Sequence, residues 1–175
     1  NLVIYIRFSD QTEFTTDTTL NYNKFNDMNP NANSVYSYFK EVSYEQLTLM
    51  STFYPVPPDN IILSYQDEHP RTYFMPYNAT TAPDGYQNDN QRTQREHKLL
   101  ADAVTFVNLN SPVPTNIDLD YNNDGRVDNI VFIIKGSPTA WSTLLWPHRW
   151  SLNSQTVYIN GKRVWDFNFQ LETHM

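Results

Sequence analysis

Residues 129–135 read Asn129-Ile-Val-Phe-Ile-Ile-Lys135 and are followed by Gly136. A continuous apolar run of this length, closed by a turn residue, is typical of a strand buried on both faces of a sheet. A similar run, Leu2-Val-Ile-Tyr-Ile-Arg-Phe8, stands at the start of the chain. The sequence therefore predicts a central strand at 129–135 and a second buried strand at 2–8.

Two other stretches have the spacing of amphipathic helices. Apolar residues at positions 35, 38, 39 and 42 follow Asn33 and Ser34, either of which can cap the start of a helix. Residues 91–107 place apolar residues at 99, 100, 103, 104 and 107 on one face and predict the longest helix. On that helix Glu96 and His97 are interpreted as solvated surface.

The remaining segments predict strands and loops. Residues 47–54 alternate loosely before Pro55 and predict a strand, whereas 10–30 and 59–90 predict mostly loop, with at most one strand in the latter. Asn160-Gly161 is typical of a β-hairpin, and residues 165–171 beyond it alternate apolar with polar, so two paired strands are predicted on either side of the turn. Strands separated by helices predict an α/β fold, a mixed sheet with helices packed on it.

Length and composition predict one domain, or most of one, over residues 1–175. The 175 residues are 39% hydrophobic and 18% charged, which is typical of a chain that folds around a core. The formal net charge of -7 argues against a nucleic-acid partner, because phosphate binding depends on lysine and arginine. No apolar run approaches the roughly 18 residues of a membrane span.

The residues just before the central strand are dense in oxygen ligands. With Asp120 as the first position, residues 120–128 read D-Y-N-N-D-G-R-V-D and place Gly125 sixth. Ligands in a calcium loop fall at positions 1, 3, 5, 7 and 9, and a glycine at the sixth makes the sharp turn. The predicted ligands are Asp120, Asn122, Asp124, the backbone carbonyl of Arg126, and Asp128, with Asp118 as a candidate for a further one.

The predicted calcium ion is structural rather than regulatory. The twelfth position of the loop is Val131 instead of a bidentate glutamate, and a strand follows where an EF-hand has a helix. The loop offers hard oxygen donors without the nitrogen or sulfur that zinc prefers. Further ligands would come from Asp118, from elsewhere in the fold or from water. The alternative is an Asp- and Asn-rich turn that binds no metal.

Four segments, taken in order, carry a family resemblance. They read Leu2-Val-Ile-Tyr-Ile-Arg-Phe-Ser-Asp-Gln, Ser34-Val-Tyr-Ser-Tyr-Phe-Lys-Glu-Val-Ser-Tyr-Glu-Gln-Leu, Asp120-Tyr-Asn-Asn-Asp-Gly-Arg-Val-Asp and Trp146-Pro-His-Arg-Trp. The chain resembles the immune inhibitor A family of secreted bacterial zinc metalloendopeptidases. The resemblance implies a secreted or cell-surface location, a protein or peptide substrate, and a catalytic zinc ion held by an H-E-x-x-H helix.

The four histidines do not form that zinc motif, because none of His69, His97, His148 and His174 begins an H-E-x-x-H. The resemblance therefore implies an N-terminal part of the peptidase domain, with the zinc motif expected after Met175 in the full-length protein. No catalytic residue is assigned within the chain, which by itself should cleave nothing. His148 is interpreted as packed among aromatic side chains, with a substrate-side role as the alternative.

Two other functions are compatible with the sequence. In the first, the domain is a non-catalytic, calcium-stabilised binding module of a secreted or surface protein, and its exposed aromatic residues bind glycan or protein. In the second, it is a pro-segment or spacer of a larger surface protein. An H-E-x-x-H motif downstream of Met175 would favour the peptidase over both.

Overall fold

The computed structural model describes residues 1–58 and 61–175. Within these ranges the helices are α1 (Thr18–Asn26), α2 (Val35–Val42) and α3 (Asp89–Asn110). The strands are β1 (Leu2–Arg7), β2 (Thr52–Tyr54), β3 (Tyr65–Gln66), β4 (Ile130–Ile134), β5 (His148–Ser151), β6 (Tyr158–Ile159), β7 (Lys162–Arg163) and β8 (Asp166–Leu171). No helix in the described part of the chain is long and apolar enough to cross a membrane.

The main sheet is mixed, with strand order β2-β1-β4-β8-β5 and β3 paired to the far end of β1. β1 runs parallel to β2, β3 and β4, and β4 runs parallel to β8. β5 is antiparallel to β8 and forms one edge, with His148 opposite Phe169. The predicted α/β fold, a mixed sheet with helices packed on it, is confirmed, and 129–135 contains the central strand.

The alternation of side chains along β1 and β4 divides the core between the two faces of the sheet. Leu2, Ile4 and Phe132 point to the face covered by α3 and belong to the larger apolar cluster. Val3 and Val131 point to the other face, where the smaller cluster includes residues from α1 and the segment before it. Both strands are therefore buried on both faces, which explains their unbroken apolar sequences.

The helices match the predictions in two cases out of three. α2 begins after Ser34, whose Oγ accepts a hydrogen bond of 3.0 Å from the backbone N–H of Ser37. α3 spans the predicted 91–107 and extends beyond it at both ends. The prediction of loop for 10–30 was wrong at α1, where Asp17 caps the helix start and Phe25 is buried. The sequence did not predict this helix because its many asparagine and threonine residues have weak helix propensity.

Several strand predictions need correction. The strand predicted for 47–54 is reduced to β2, because Leu47 and Met50 are exposed and unpaired with the sheet. The hairpin is confirmed, with Asn160 and Gly161 at φ of 49° and 77° between β6 and β7. β8 pairs with β4 and β5 of the main sheet rather than with the hairpin. Of the segment 59–90, residues 59 and 60 lie outside the described ranges, and β3 is a two-residue strand.

Candidate metal loop and the Glu96–His148 pair

The predicted calcium loop, residues 118–128, connects the segment after α3 to β4 and rests against the β6–β7 hairpin. The backbone N–H of Val127 donates to the carbonyl of Arg163 at 2.9 Å, and the N–H of Arg163 donates to the carbonyl of Gly125 at 2.9 Å. The N–H of Asp128 donates to the carbonyl of Leu119 at 2.8 Å and closes the loop on itself. The tertiary fold thus anchors the loop at its C-terminal half.

Side-chain oxygens of the loop accept hydrogen bonds from its own backbone. Oδ1 and Oδ2 of Asp120 accept from the N–H groups of Asp124 and Gly125 at 2.9 and 3.0 Å. Oδ1 of Asn122 accepts from Asp124 at 3.0 Å, and Oδ1 of Asp124 accepts from Arg126 at 2.9 Å. Gly125 has φ of +83°, a left-handed conformation that glycine adopts without strain. The predicted glycine turn is present.

Lys162 on β7 neutralises part of the charge of the loop. Its Nζ lies 2.6 Å from Oδ2 of Asp120, whose side chain is 1% exposed. The hydrogen bond from Lys162 is the largest of the effects that lower the pKa of Asp120 below its usual value, and the same contact raises the pKa of Lys162. The sequence prediction missed this contact, because the two residues belong to separate elements.

The side-chain oxygens of the loop are of the type that calcium prefers, but they are not arranged around one point. Oδ2 of Asp118, Oδ2 of Asp124 and Oδ1 of Asp128 receive no hydrogen bond from any described residue and remain as free hard donors. The described residues nevertheless contain no group of three or more acidic, histidine or cysteine side chains placed to hold a metal ion. Calcium binding would therefore need the three carboxylates to turn toward one point.

The described residues do not fit zinc. Their histidines are dispersed: His69 lies against Asp67 and Tyr73, whereas His174 lies near Trp146. Zinc needs three or four nitrogen, sulfur or carboxylate ligands around one point, and that part of the chain offers no such group. Catalytic zinc chemistry is therefore not assigned to any residue within 1–58 or 61–175.

The interpretation of Glu96 and His97 as solvated surface was wrong. Glu96 is 3% exposed and His97 is fully buried. Positions 96, 100, 103 and 107 follow the i, i+4, i+7, i+11 spacing of one helix face, so Glu96 shares the buried face with Leu100, Ala103 and Val107. This periodicity was a signal in the sequence, and a polar residue on that face indicates a buried partner.

That partner is His148 on β5. Its Nε2 lies 3.0 Å from Oε1 of Glu96, and its Nδ1 lies 2.6 Å from the carbonyl of Trp146. The ring also stacks on Phe169, with 5.0 Å between centroids, which confirms the predicted packing among aromatic side chains. Burial alone would lower the pKa of His148, but the hydrogen bond and charge of Glu96 outweigh burial and raise it.

His97 differs from His148 in both contact and charge. Its Nδ1 lies 2.7 Å from Oγ of Ser154, and its Nε2 has no hydrogen-bond partner among the residues described. Burial lowers the pKa of His97. Two neighbouring histidines therefore favour opposite protonation states, with the imidazolium at His148 and the neutral ring at His97.

On the sheet face opposite α3, a groove of about 730 Å³ lies between α2 and the strands β4 and β8. It is lined by Val35 and Phe39 from α2, by Val131, Asn168 and Gln170 from the strands, and by Met175. In the described ranges α1 and α2 are the helices on this face, and the groove lies where they leave the sheet uncovered.

No known protein family matches the chain, and no curated protein matches it either.

Proposed function

We propose that the chain is the N-terminal part of a secreted zinc metalloendopeptidase domain with a structural calcium ion in the 118–128 loop. The observation that carries the proposal is the groove beside β4 and β8. The family resemblance implies a zinc-binding helix after the segment 165–175, and Met175, at the end of that segment, lines the groove. In the proposal that helix continues from Met175 and lies in the groove between α2 and the strands β4 and β8.

The position of β5 at the edge of the sheet favours a peptide as the substrate. It is antiparallel to β8 on one side, and no other strand of the described ranges pairs with its outer side. An exposed strand edge presents unpaired backbone N–H and C=O groups, to which an extended peptide can add as a further strand. In the proposal β5 binds and orients the substrate backbone, and the zinc-binding helix, outside residues 1–175, supplies the hydrolytic chemistry.

The calcium ion supports the same scaffold. Loop 118–128 ends at β4, and the backbone hydrogen bonds of its Gly125 and Val127 to Arg163 connect the loop to the hairpin before β8. An ion that neutralises Asp118, Asp124 and Asp128 would remove the repulsion that remains after Lys162 has paired with Asp120. Calcium therefore stabilises the loop without contributing to catalysis.

The coding sequence after Met175 and the activity of its product test the peptidase proposal. We expect an H-E-x-x-H motif within a few dozen residues, and zinc-dependent cleavage of a denatured protein by the full-length form. A full-length variant with glutamine in place of the motif glutamate, as the matched control, should bind zinc without cleaving. Absence of the motif, or equal cleavage by the control variant, would show the peptidase proposal to be wrong.

A non-catalytic, calcium-stabilised binding module is the second candidate function. The observation that favours it is a pocket on the α3 face of the sheet, in which tryptophan side chains surround a buried carboxylate. The two candidates use opposite faces of the same sheet. A full-length protein without peptidase activity that still binds a ligand through this pocket would support the module.

A further inference from the structure

A cavity of about 350 Å³ lies between α3, β5 and the loop that precedes β5. Its lining includes Arg92 and Glu96 from α3, Trp141 and Trp146 from the loop, and Arg149 and Trp150 from the strand. His148 and Trp150 alternate with Arg149 and face α3, as does Phe169 opposite His148. The cavity is thus on the opposite side of the sheet from the groove proposed for the zinc helix.

The walls of the cavity are fixed by hydrogen bonds. Nη1 of Arg92 donates to the carbonyl of Ser142 at 3.1 Å and ties the loop to α3. His148 connects the carbonyl of Trp146 to Glu96 through its two ring nitrogens. The cavity is therefore formed before any ligand arrives, which reduces the entropy lost on binding.

The charged groups in the lining differ in how far they are already paired. Arg149 lies 2.9 Å from Asp166, and His148 lies 3.0 Å from Glu96. Glu96 uses Oε1 for that contact, while its Oε2 receives no hydrogen bond from the described residues. Oε2 is not among the fully buried atoms that lack a partner, so it is open to the cavity that Glu96 lines. The group still available in the cavity is therefore a hydrogen-bond acceptor.

The tryptophans supply flat apolar surfaces around that acceptor. Trp141 is 78% exposed and Trp150 is 41% exposed, whereas Trp146 is half-buried. Exposed tryptophans are unusual unless they cover a core or bind a ligand, because each indole keeps a large apolar surface in contact with water. Their faces suit a ligand that has apolar C–H faces as well as hydroxyl groups on its rim.

We propose that this cavity is a binding site for neutral carbohydrate, in which the pyranose faces pack on Trp141 and Trp150 and a hydroxyl donates to Oε2 of Glu96. An anionic ligand is disfavoured because its charge would meet the free oxygen of Glu96, while the cations of the lining are already partnered. A cationic ligand is disfavoured by Arg92 and the imidazolium of His148. A neutral polyol satisfies the acceptor without either cost.

Binding of the labelled full-length protein to an array of neutral, acidic and amino oligosaccharides tests the proposal. Neutral oligosaccharides should be retained, and titration of the retained one should quench tryptophan fluorescence. Trp141→Ala should weaken its affinity by on the order of tenfold or more, and Glu96→Gln by a similar factor, since hydrogen bonds to charged groups are the stronger kind. Tyr44→Ala, which removes an aromatic ring that is 88% exposed elsewhere, should leave the affinity unchanged.

Because Trp141 is mostly exposed, its replacement should not unfold the protein, and the melting temperature of each variant checks this. Retention of no neutral oligosaccharide, retention of acidic ones only, or equal binding by Trp141→Ala and wild type would overturn the carbohydrate site. The measurement needs no zinc and no peptidase activity. Its failure is therefore separate from the failure of the peptidase proposal.

Discussion

Nε2 of His148 on β5 lies 3.0 Å from Oε1 of Glu96 on α3, and the contact joins the edge of the sheet to the helix that covers it. Since Nδ1 of His148 also lies at hydrogen-bond distance from a backbone carbonyl, both ring nitrogens face acceptors. A histidine in this position is stabilised as the imidazolium. The pair is therefore an ion pair, and its strength depends on pH.

We expect the Glu96–His148 pair to lose its contribution to stability as the pH rises above about 6.5, the usual value for histidine. The pKa of His148 is raised in the folded state, so between 6.5 and that raised pKa the folded protein holds a proton that the unfolded chain has released. Stability then falls with rising pH, because the folded state binds more protons. The free energy of unfolding in urea, measured from about pH 6 to 9, checks this slope.

Glu96→Gln is the matched variant for that measurement. Without the carboxylate charge the pKa of His148 should return toward its usual value, so the slope above pH 6.5 should be smaller than in the wild type. His97, whose pKa is lowered, acts below pH 6.5 with the opposite sign. Burial lowers the pKa of the amino terminus below 8.0, and this group acts equally in both proteins, so the difference between the two slopes reports the Glu96–His148 pair. If the free energy of unfolding has the same pH dependence in the two proteins, the assignment of Glu96 and His148 as an ion pair is contradicted.

Lys162→Met should lower the free energy of unfolding by more than the removal of an exposed lysine does. The substitution keeps most of the length of the side chain but leaves the carboxylate of Asp120, 1% exposed, without its cationic partner. Lys98→Met is the control, because Lys98 forms an exposed pair with Asp102 one helical turn away, and such pairs contribute little. Equal destabilisation by the two variants would show that the contact between Lys162 and Asp120 contributes no more to the free energy of unfolding than an exposed ion pair does.

The same pair predicts a difference in acid. The pKa of Asp120 is lowered in the folded state, so its contribution to stability is present above about pH 3.9 and is lost as the pH falls through the lowered pKa. In Lys162→Met that pKa should rise toward its usual value. Unfolding curves measured between about pH 2 and 5 should therefore show a shallower acid loss in the variant than in the wild type.

Chelation is expected to lower the melting temperature, and added calcium to restore it. A ligand that binds only the folded state stabilises it by about 2.7 kcal/mol at one hundred times its Kd. Asp124→Ala should abolish the response, because it removes one of the free carboxylate oxygens of the loop. Asp102→Ala, on α3 and outside the loop, should retain it. A melting temperature that is unchanged across a chelator titration of the wild type would remove calcium from the proposal.

Ser34→Ala tests the helix cap that the sequence predicted. Oγ of Ser34 accepts from the N–H of Ser37 at 3.0 Å and donates to the carbonyl of Asp27 at 2.6 Å. Loss of a serine cap costs about 1 kcal/mol of stability, measured by chemical denaturation. Thr105→Ala, which removes an exposed hydroxyl in the middle of α3, should change stability by less than about 0.5 kcal/mol. Similar values for the two variants would contradict the capping role.

Some features could be predicted because their causes are local. The strand at 129–135 follows from an apolar run that only a doubly covered position can bury, and the hairpin follows from the positive φ that Asn160 and Gly161 tolerate. The cap at Ser34 and the glycine turn at Gly125 depend on neighbours within a few residues. In each case the interacting groups are close in sequence.

What only the tertiary structure decided depends on residues far apart in the chain. The burial of Phe25 stabilises α1, although the residues of this helix have weak helix propensity. β8 pairs with the main sheet rather than with the hairpin. The ion pairs of Glu96 with His148 and of Asp120 with Lys162 form because packing brings separate elements together. The sequence by itself determined the buried strands β1 and β4, the cap of α2 and the turns, since these depend on local backbone energetics. The partners of its buried charges were decided by long-range packing, because a buried charge needs whichever opposite group the fold places beside it.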